Sequence, residues 1–280
     1  MKQYSLNRCL VYVQIKRKRE RQMDLGIAGK TALVLGGGGG LGAAIATALH
    51  AEGARVAIGD ISAEGGQAVA AMLGGDTLAR PWDLADLDSI DGHITHIEQA
   101  LGPVDILVNI TGGPPPTPVS GQGADIWDKH FRAMVLSVVA ITDRVLPGMK
   151  AKNWGRIITS TSSGVVAPIP NLGLSNALRM SLLGWSKTLA REVGRDGITS
   201  NIIVPGRIAT ARIAFLDEQK AKREGRSAAE VSAESTGSIP LGRYGRPEEY
   251  AAATAFLASE AAGYITGTVM RVDGGLIASV

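Results

Sequence analysis

The sequence predicts an α/β protein, a single doubly wound domain built on a seven-stranded parallel sheet. Three observations predict it. From Gly29 onward, β-rich runs alternate with helix-like stretches. The runs at 33–35, 106–108 and 202–204 are apolar throughout, as in strands covered on both faces. The length of 280 residues, with 45% apolar and 20% charged, suits one large α/β domain and excludes general disorder.

The elements follow in order. Strands are expected at 31–35, 55–58, 77–80, 105–109, 156–160, 199–204 and 268–272. Helices are expected at 41–52, 63–73, 125–149, 175–193 and 248–259, with a further one before the fourth strand. Residues 211–239 break this rhythm. They are polar and charge-rich, with Lys220, Lys222, Arg223, Glu224 and Arg226. In a doubly wound sheet they form an insertion at the carboxyl edge, where ligands bind. The functional reading is a lid, and the alternative is a solvated surface helix pair.

Composition narrows the function. Glycine is the outlier at 36 residues, without the Gly-X-Y period of collagen. No apolar run approaches the ~18–20 residues that cross a bilayer, so no membrane partner is expected. Cys9 is the only cysteine, so an intrachain disulfide and a cysteine metal site are excluded, and a cytoplasmic location is expected. Residues 1–22 carry seven Lys and Arg against Glu20, a charge of +6; the rest of the chain sums to −3. The basic balance therefore belongs to the extension, which is read as disordered, and the domain runs over 23–280. A basic arm also suits nucleic acid, anionic lipid or targeting, but nucleic acid is not the expected partner.

Gly36, Gly37, Gly38, Gly39, Gly40, Leu41 and Gly42 follow the first strand directly and open a helix. Glycines let a backbone approach a ligand closely, and a helix start offers free N–H groups to a diphosphate. An acid stands about 20 residues on, Asp60, at the end of the second strand. A carboxylate there accepts from both ribose hydroxyls and repels a 2′-phosphate, so NAD is expected in preference to NADP. This makes the fold Rossmann-type.

The glycine spacing is Gly-x-x-x-Gly-x-Gly, and here the chain resembles the short-chain dehydrogenase/reductase superfamily over about residues 25–280. Asp83 and Leu84 resemble the family's adenine-contacting pair. Asn109, Ile110, Thr111 and Gly112 stand where the family has Asn-Asn-Ala-Gly. The stretch from Pro205 through Ile208 to Thr210 is similar to its nicotinamide-contacting loop. Arg271 to Gly275 resembles its last strand and turn. The resemblance implies cofactor contacts from Gly36, Gly38, Gly39, Gly40, Leu41, Gly42, Asp60, Asp83, Leu84, Asn109, Arg179, Pro205, Ile208 and Thr210. It also implies a homodimer or homotetramer built on the two long helices.

The family's site implies Asn, Ser, Tyr and Lys, with Tyr and Lys one helical turn apart and Ser 13 residues before Tyr. Counting from the fifth strand, Ser162 matches the Ser. Ser175 stands for the Tyr, Arg179 for the Lys and Met134 for the Asn. A phenol has a pKa of ~10 and an aliphatic hydroxyl one several units higher, while a guanidinium does not shuttle protons at neutral pH. The stretch from Leu174 to Arg179, with Gly112-Gly113-Pro114-Pro115-Pro116, resembles a side branch. That branch is similar to 3-oxoacyl-[acyl-carrier-protein] reductases but lacks the usual tetrad.

Ser162, Ser175 and Arg179 are thus the candidate catalytic residues. The serines would bind a substrate oxygen. Arg179 would hold the ribose or an anionic substrate group. His130 was weighed as an acid one turn before Met134. No His/Asp/Glu cluster has metal-ligand spacing, so no metal is expected. Trp82, Trp127, Trp154 and Trp185 read as packing residues. Arg132, Arg144, Lys150, Lys152 and Arg156 are weighed as a basic face for an acidic carrier protein. The expected function is NAD(H)-dependent hydride transfer on a small carbonyl or alcohol substrate. The alternatives are a dinucleotide-binding pseudoenzyme and a redox-neutral elimination.

Overall fold

The computed structural model describes residues 24–279. The basic extension and Cys9 lie outside the described residues. One sheet carries seven parallel strands in the order β3-β2-β1-β4-β5-β6-β7. The strands are β1 (Thr31–Leu35), β2 (Arg55–Asp60), β3 (Thr77–Pro81), β4 (Ile106–Asn109), β5 (Gly155–Ser160), β6 (Ile198–Pro205) and β7 (Val269–Val272). All seven coincide with the expected runs to within two residues at either end. The chain order reverses at β1, which pairs with β2 on one side and β4 on the other.

The helices are α1 (Gly40–Ala51), α2 (Ala63–Leu73), α3 (Ile90–Leu101), α4 (Ala124–Phe131), α5 (Ser137–Ala151), α6 (Gly173–Val193), α7 (Ala211–Glu224), α8 (Ala228–Gly237) and α9 (Pro247–Ala258). Alternate strand residues serve opposite faces, because successive side chains of a strand point to opposite sides. Ala32 and Val34 of β1 pack with Ile45 and Leu49 of α1 and with Tyr250 and Ala255 of α9. Leu33 and Leu35 pack with Ile94 and Ile97 of α3, Ile141 and Val145 of α5 and Leu189 of α6. Both sets of β1 side chains are fully buried, which is why this strand reads as apolar without alternation.

Two elements depart from expectation. The helix expected at 125–149 is divided by a π-turn over Arg132–Leu136 between α4 and α5. An i→i+5 turn accommodates one extra residue inside a helix, a feature frequent at functional sites. It buries Met134 and Val135 and brings Ala133 to the cavity described below. The 211–239 insertion folds as a helix pair. Thr210 caps α7 by accepting from the Ile213 N–H, and Ser227 forms a capping box with Glu230 at the start of α8.

Candidate active site

A cavity of about 1350 Å³ opens along the carboxyl edge of the sheet, under α7 and α8. Its floor begins at the glycine turn. Gly36 has φ +65°, a left-handed conformation that favours glycine. A Cβ on Gly42 would stand 2.0 Å from the Gly36 carbonyl oxygen, so only glycine lets α1 begin this close to the turn. No side chain caps α1, and its first turn carries no acid. The N–H groups of Gly40, Leu41 and Gly42 are thus left for an anion.

Asp60 is locked against that turn. One carboxylate oxygen accepts from Gly38 N and the other from Ser62 N, each at 2.8 Å. Gly36, Gly39, Gly40, Leu41, Gly42, Asp60, Asp83 and Leu84 all line the cavity. Gly38 does not line it. A Cβ there would meet the Asp60 carboxylate at 2.8 Å, so its part is to admit Asp60. Trp82, expected only to pack, also lines the cavity while stacking on His93 at 4.4 Å between ring centroids.

Asn109 stands apart from its expected role. It is fully buried at the end of β4, donates to Thr159 Oγ1 at 3.3 Å and does not line the cavity. The chain turns into the cavity one residue later, at Ile110, Thr111 and Gly112. Pro205, Ile208 and Thr210 form the opposite wall. Their loop is held by Ala209 N donating to Gly245 O at 2.8 Å and Gly245 N donating to Arg207 O at 2.9 Å.

Ser162, Ser175 and Arg179 meet at the far end. The Ser162 hydroxyl accepts from Gly164 N at 3.1 Å, which fixes it after β5. Ser175 and Arg179 lie one turn apart on α6, and Arg179 Nε donates to Ser175 Oγ at 3.3 Å. The guanidinium also donates to Gly112 O at 2.9 Å, Thr111 O at 3.1 Å and Ser160 O at 3.4 Å. The guanidinium, expected to reach ribose hydroxyls or an anionic substrate group, ties the ends of β4 and β5 together. Burial, then the nearby Arg212, lowers its pKa to about 10. Thr111 and Thr161 line the same space, and their hydroxyls are buried without protein partners.

Met134 belongs to the apolar cluster of Val138, Leu178 and Leu182, behind the wall. His130 does not line the cavity, and burial, then Lys129, lowers its pKa. Of the cations weighed for a basic face, three are paired with acids and one is buried. Arg144 binds Asp91 and Glu98, Lys150 lies 3.8 Å from Asp196, and Lys152 binds Asp105. Arg132 donates to Ala85 O, and Arg156 is buried on the carbonyls of Ser259, Gly155 and Gly197. Arg212 was not singled out from the sequence. Its only signal there is its place two residues after the capping Thr210, at the start of the insertion.

A family model described as enoyl-(acyl carrier protein) reductase matches residues 37–277. The chain belongs to the short-chain dehydrogenase/reductase family. It is 37% identical to the 3-oxoacyl-[acyl-carrier-protein] reductase FabG of Haemophilus influenzae over 254 residues, which is 90% of this chain and 99% of that one. It is 38% identical to the Escherichia coli K12 protein of the same name over 251 residues, 89% and 97% of the two chains. Among solved structures, L-sorbose reductase from Gluconobacter frateurii, complexed with NADPH and L-sorbose, superposes with a TM-score of 0.86. It is 30% identical, over 92% of this chain and all of that one. The protein is an oxidoreductase of this family's type with the family's single Rossmann-like domain. No described helix is long and apolar enough to cross a membrane.

Proposed function

We propose that the chain transfers a hydride between a nicotinamide dinucleotide, NAD(H) in preference to NADP(H), and a carbonyl or alcohol carbon, as a 3-oxoacyl reductase-like enzyme. One observation carries this reading: the glycine turn with Asp60 and the Ser162, Ser175 and Arg179 group open on the same cavity. The residues fit a dinucleotide. The α1 start offers uncapped N–H groups to a diphosphate, and Asp60 keeps lone pairs for ribose hydroxyls after its two backbone bonds. Asp60 also repels a 2′-phosphate, and among the described residues no cation lines that end of the cavity.

The bound dinucleotide supplies or takes the hydride. Ser162 and Ser175 donate to the substrate oxygen. Each already accepts one bond, from Gly164 N and from Arg179, so each keeps its own hydrogen for the substrate. The Arg179 cation favours negative charge developing on that oxygen, and cavity water completes the proton transfer. The α7–α8 pair covers the site as a lid. A homodimer or homotetramer is supported by exposed Phe131, Leu136 and Met180 along the α4–α6 face, and light scattering of the purified protein tests it.

A second reading, a dinucleotide-binding pseudoenzyme, is favoured by the use of Arg179 as a clamp on Thr111, Gly112 and Ser160. Titration with NADH and NADPH, then nicotinamide absorbance with 3-oxoacyl, hydroxy-acid and sugar substrates, separates the two. Turnover with NADH binding at least tenfold tighter than NADPH supports the proposal. Tight binding with no turnover on any substrate favours the pseudoenzyme, and tighter NADPH binding overturns the NAD preference.

A further inference from the structure

Five cations line the cavity: Arg179, Arg207, Arg212, Lys220 and Arg223. Three have a carboxylate beside them. Arg207 binds Asp217, Lys220 binds Glu234 at 2.8 Å and Arg223 lies 3.5 Å from Glu224. Arg179 and Arg212 have none among the described residues. Arg179 is only 8% exposed, and its hydrogen bonds go to one hydroxyl and three neutral carbonyls. A buried cation without an acid is costly to hold.

These two cations converge. A Cβ built on Gly113 would lie 3.4 Å from an Arg212 terminal nitrogen and 3.7 Å from one of Arg179, so the two nitrogens are within about 7 Å. Arg212 reaches this place from the first turn of α7 and donates to Pro114 O at 2.9 Å. Like charges this close repel unless an anion sits between them. After burial, Arg212 is the next cause of the lowered Arg179 pKa, and Tyr250 opposes it. Pro168, Ile169, Leu172 and Leu216 give the cavity an apolar wall, and its acids Asp217 and Glu234 are paired with Arg207 and Lys220.

We propose that the substrate carries a free carboxylate, which Arg179 and Arg212 bind together beside Gly113 while its carbonyl faces Ser162 and Ser175. This rests on the hydride-transfer reading for the identity of the reacting group. The Arg212 guanidinium, with one bond to Pro114 O, keeps a fork that matches a carboxylate, while Arg179, whose Nη2 is given to Thr111 O and Gly112 O, contributes its charge. Desolvated pairs of this kind discriminate strongly against neutral analogues. The preferred substrate is then a free oxo or hydroxy acid, in contrast to a neutral thioester.

The test uses acetoacetate and acetoacetamide, which share a ketone and differ in charge. Each is titrated calorimetrically into the full chain with saturating NAD⁺, which cannot reduce them, and again without dinucleotide. Acetoacetate is expected to bind at least tenfold more tightly than the amide. Arg212→Gln should shrink that preference below threefold, with Arg212→Lys keeping part of it and NAD⁺ affinity unchanged within twofold. Equal binding of the two ligands overturns the proposal, as does equal weakening of both by Arg212→Gln. A tenfold loss of NAD⁺ affinity in Arg212→Gln with the acid preference intact also overturns it, because Arg212 would then serve the diphosphate. The parallel NADH assay separates the two claims. Preferential acid binding without oxidation of NADH keeps the anion site and removes the hydride reading. Equal kcat/KM on acid and amide does the reverse.

Discussion

Arg179 Nε donates to Ser175 Oγ at 3.3 Å, from one turn further along α6. The bond occupies the hydroxyl oxygen and leaves its hydrogen for an acceptor in the cavity. A hydroxyl that accepts from a cation is the stronger donor for it. The same guanidinium holds the carbonyls of Thr111, Gly112 and Ser160. The position of Ser175 and the shape of the β4 and β5 ends are thus set by one side chain.

Ser175→Ala should lower kcat by about 100-fold, the low end of general acid–base contributions. NADH affinity should stay within twofold, because Ser175 lies at the opposite end of the cavity from Asp60. Steady-state kinetics with calorimetry of NADH check this. A matching loss of NADH affinity would move Ser175 from the substrate to the cofactor.

Asp60→Ala should weaken NADH binding at least tenfold and NADPH binding less, since it removes the ribose acceptor and the repulsion of a 2′-phosphate together. It also strips Gly38 N and Ser62 N of their acceptor. Thermal stability should fall by about 0.5–1.5 kcal/mol, the net scale of a hydrogen bond whose donor can turn to water. Fluorescence titration with both dinucleotides and thermal unfolding measure the two effects.

Gly42→Ala should be severe. The added methyl would lie 2.0 Å from the Gly36 carbonyl oxygen, and backbone on both sides prevents easy relief. Overpacking costs typically ~1–3 kcal/mol and occasionally more. Dinucleotide affinity should fall by more than tenfold even at temperatures where the variant stays folded. Gly92→Ala serves as a control, because a Cβ there meets nothing within 4 Å.

Glu249 links stability to acid pH. It accepts from Arg243 at 2.7 Å and from Arg246 N at 2.8 Å, and these contacts, that with Arg243 first, lower its pKa from 4.5 to about 2. The folded chain therefore binds fewer protons than the unfolded one between these values. The stabilisation is full above pH 4.5 and is lost as pH falls toward 2. Glu249→Gln should melt below the wild type at pH 7, with the gap narrowing below pH 4.5 and closing only as pH falls through about 2. Its cap begins α9 beside Gly245, which holds the Pro205 to Thr210 loop. A weaker grip on dinucleotide at neutral pH should accompany the lower melting temperature.

The strand runs, the glycine turn and Asp60 were legible from residue order alone. Alternation, apolar runs and the need for a bare backbone at Gly36 and Gly42 are local properties, written within a few residues of each other. Ser162, Ser175 and Arg179 came from the family resemblance, whose motif spacing was counted from the fifth strand. What those residues touch was decided only when distant segments met. Asn109 falls one residue short of the cavity because β4 ends there and the chain turns in at Ile110. Arg179 clamps carbonyls that lie 19 to 68 positions away along the chain. Surface cations found acids distant in sequence, as Arg144 found Asp91. Arg212 lies in a segment without strong periodicity, and only the folding of α7 over the sheet edge sets it beside Arg179. Charge pairing depends on distances in space, and a sequence records distance only along the chain.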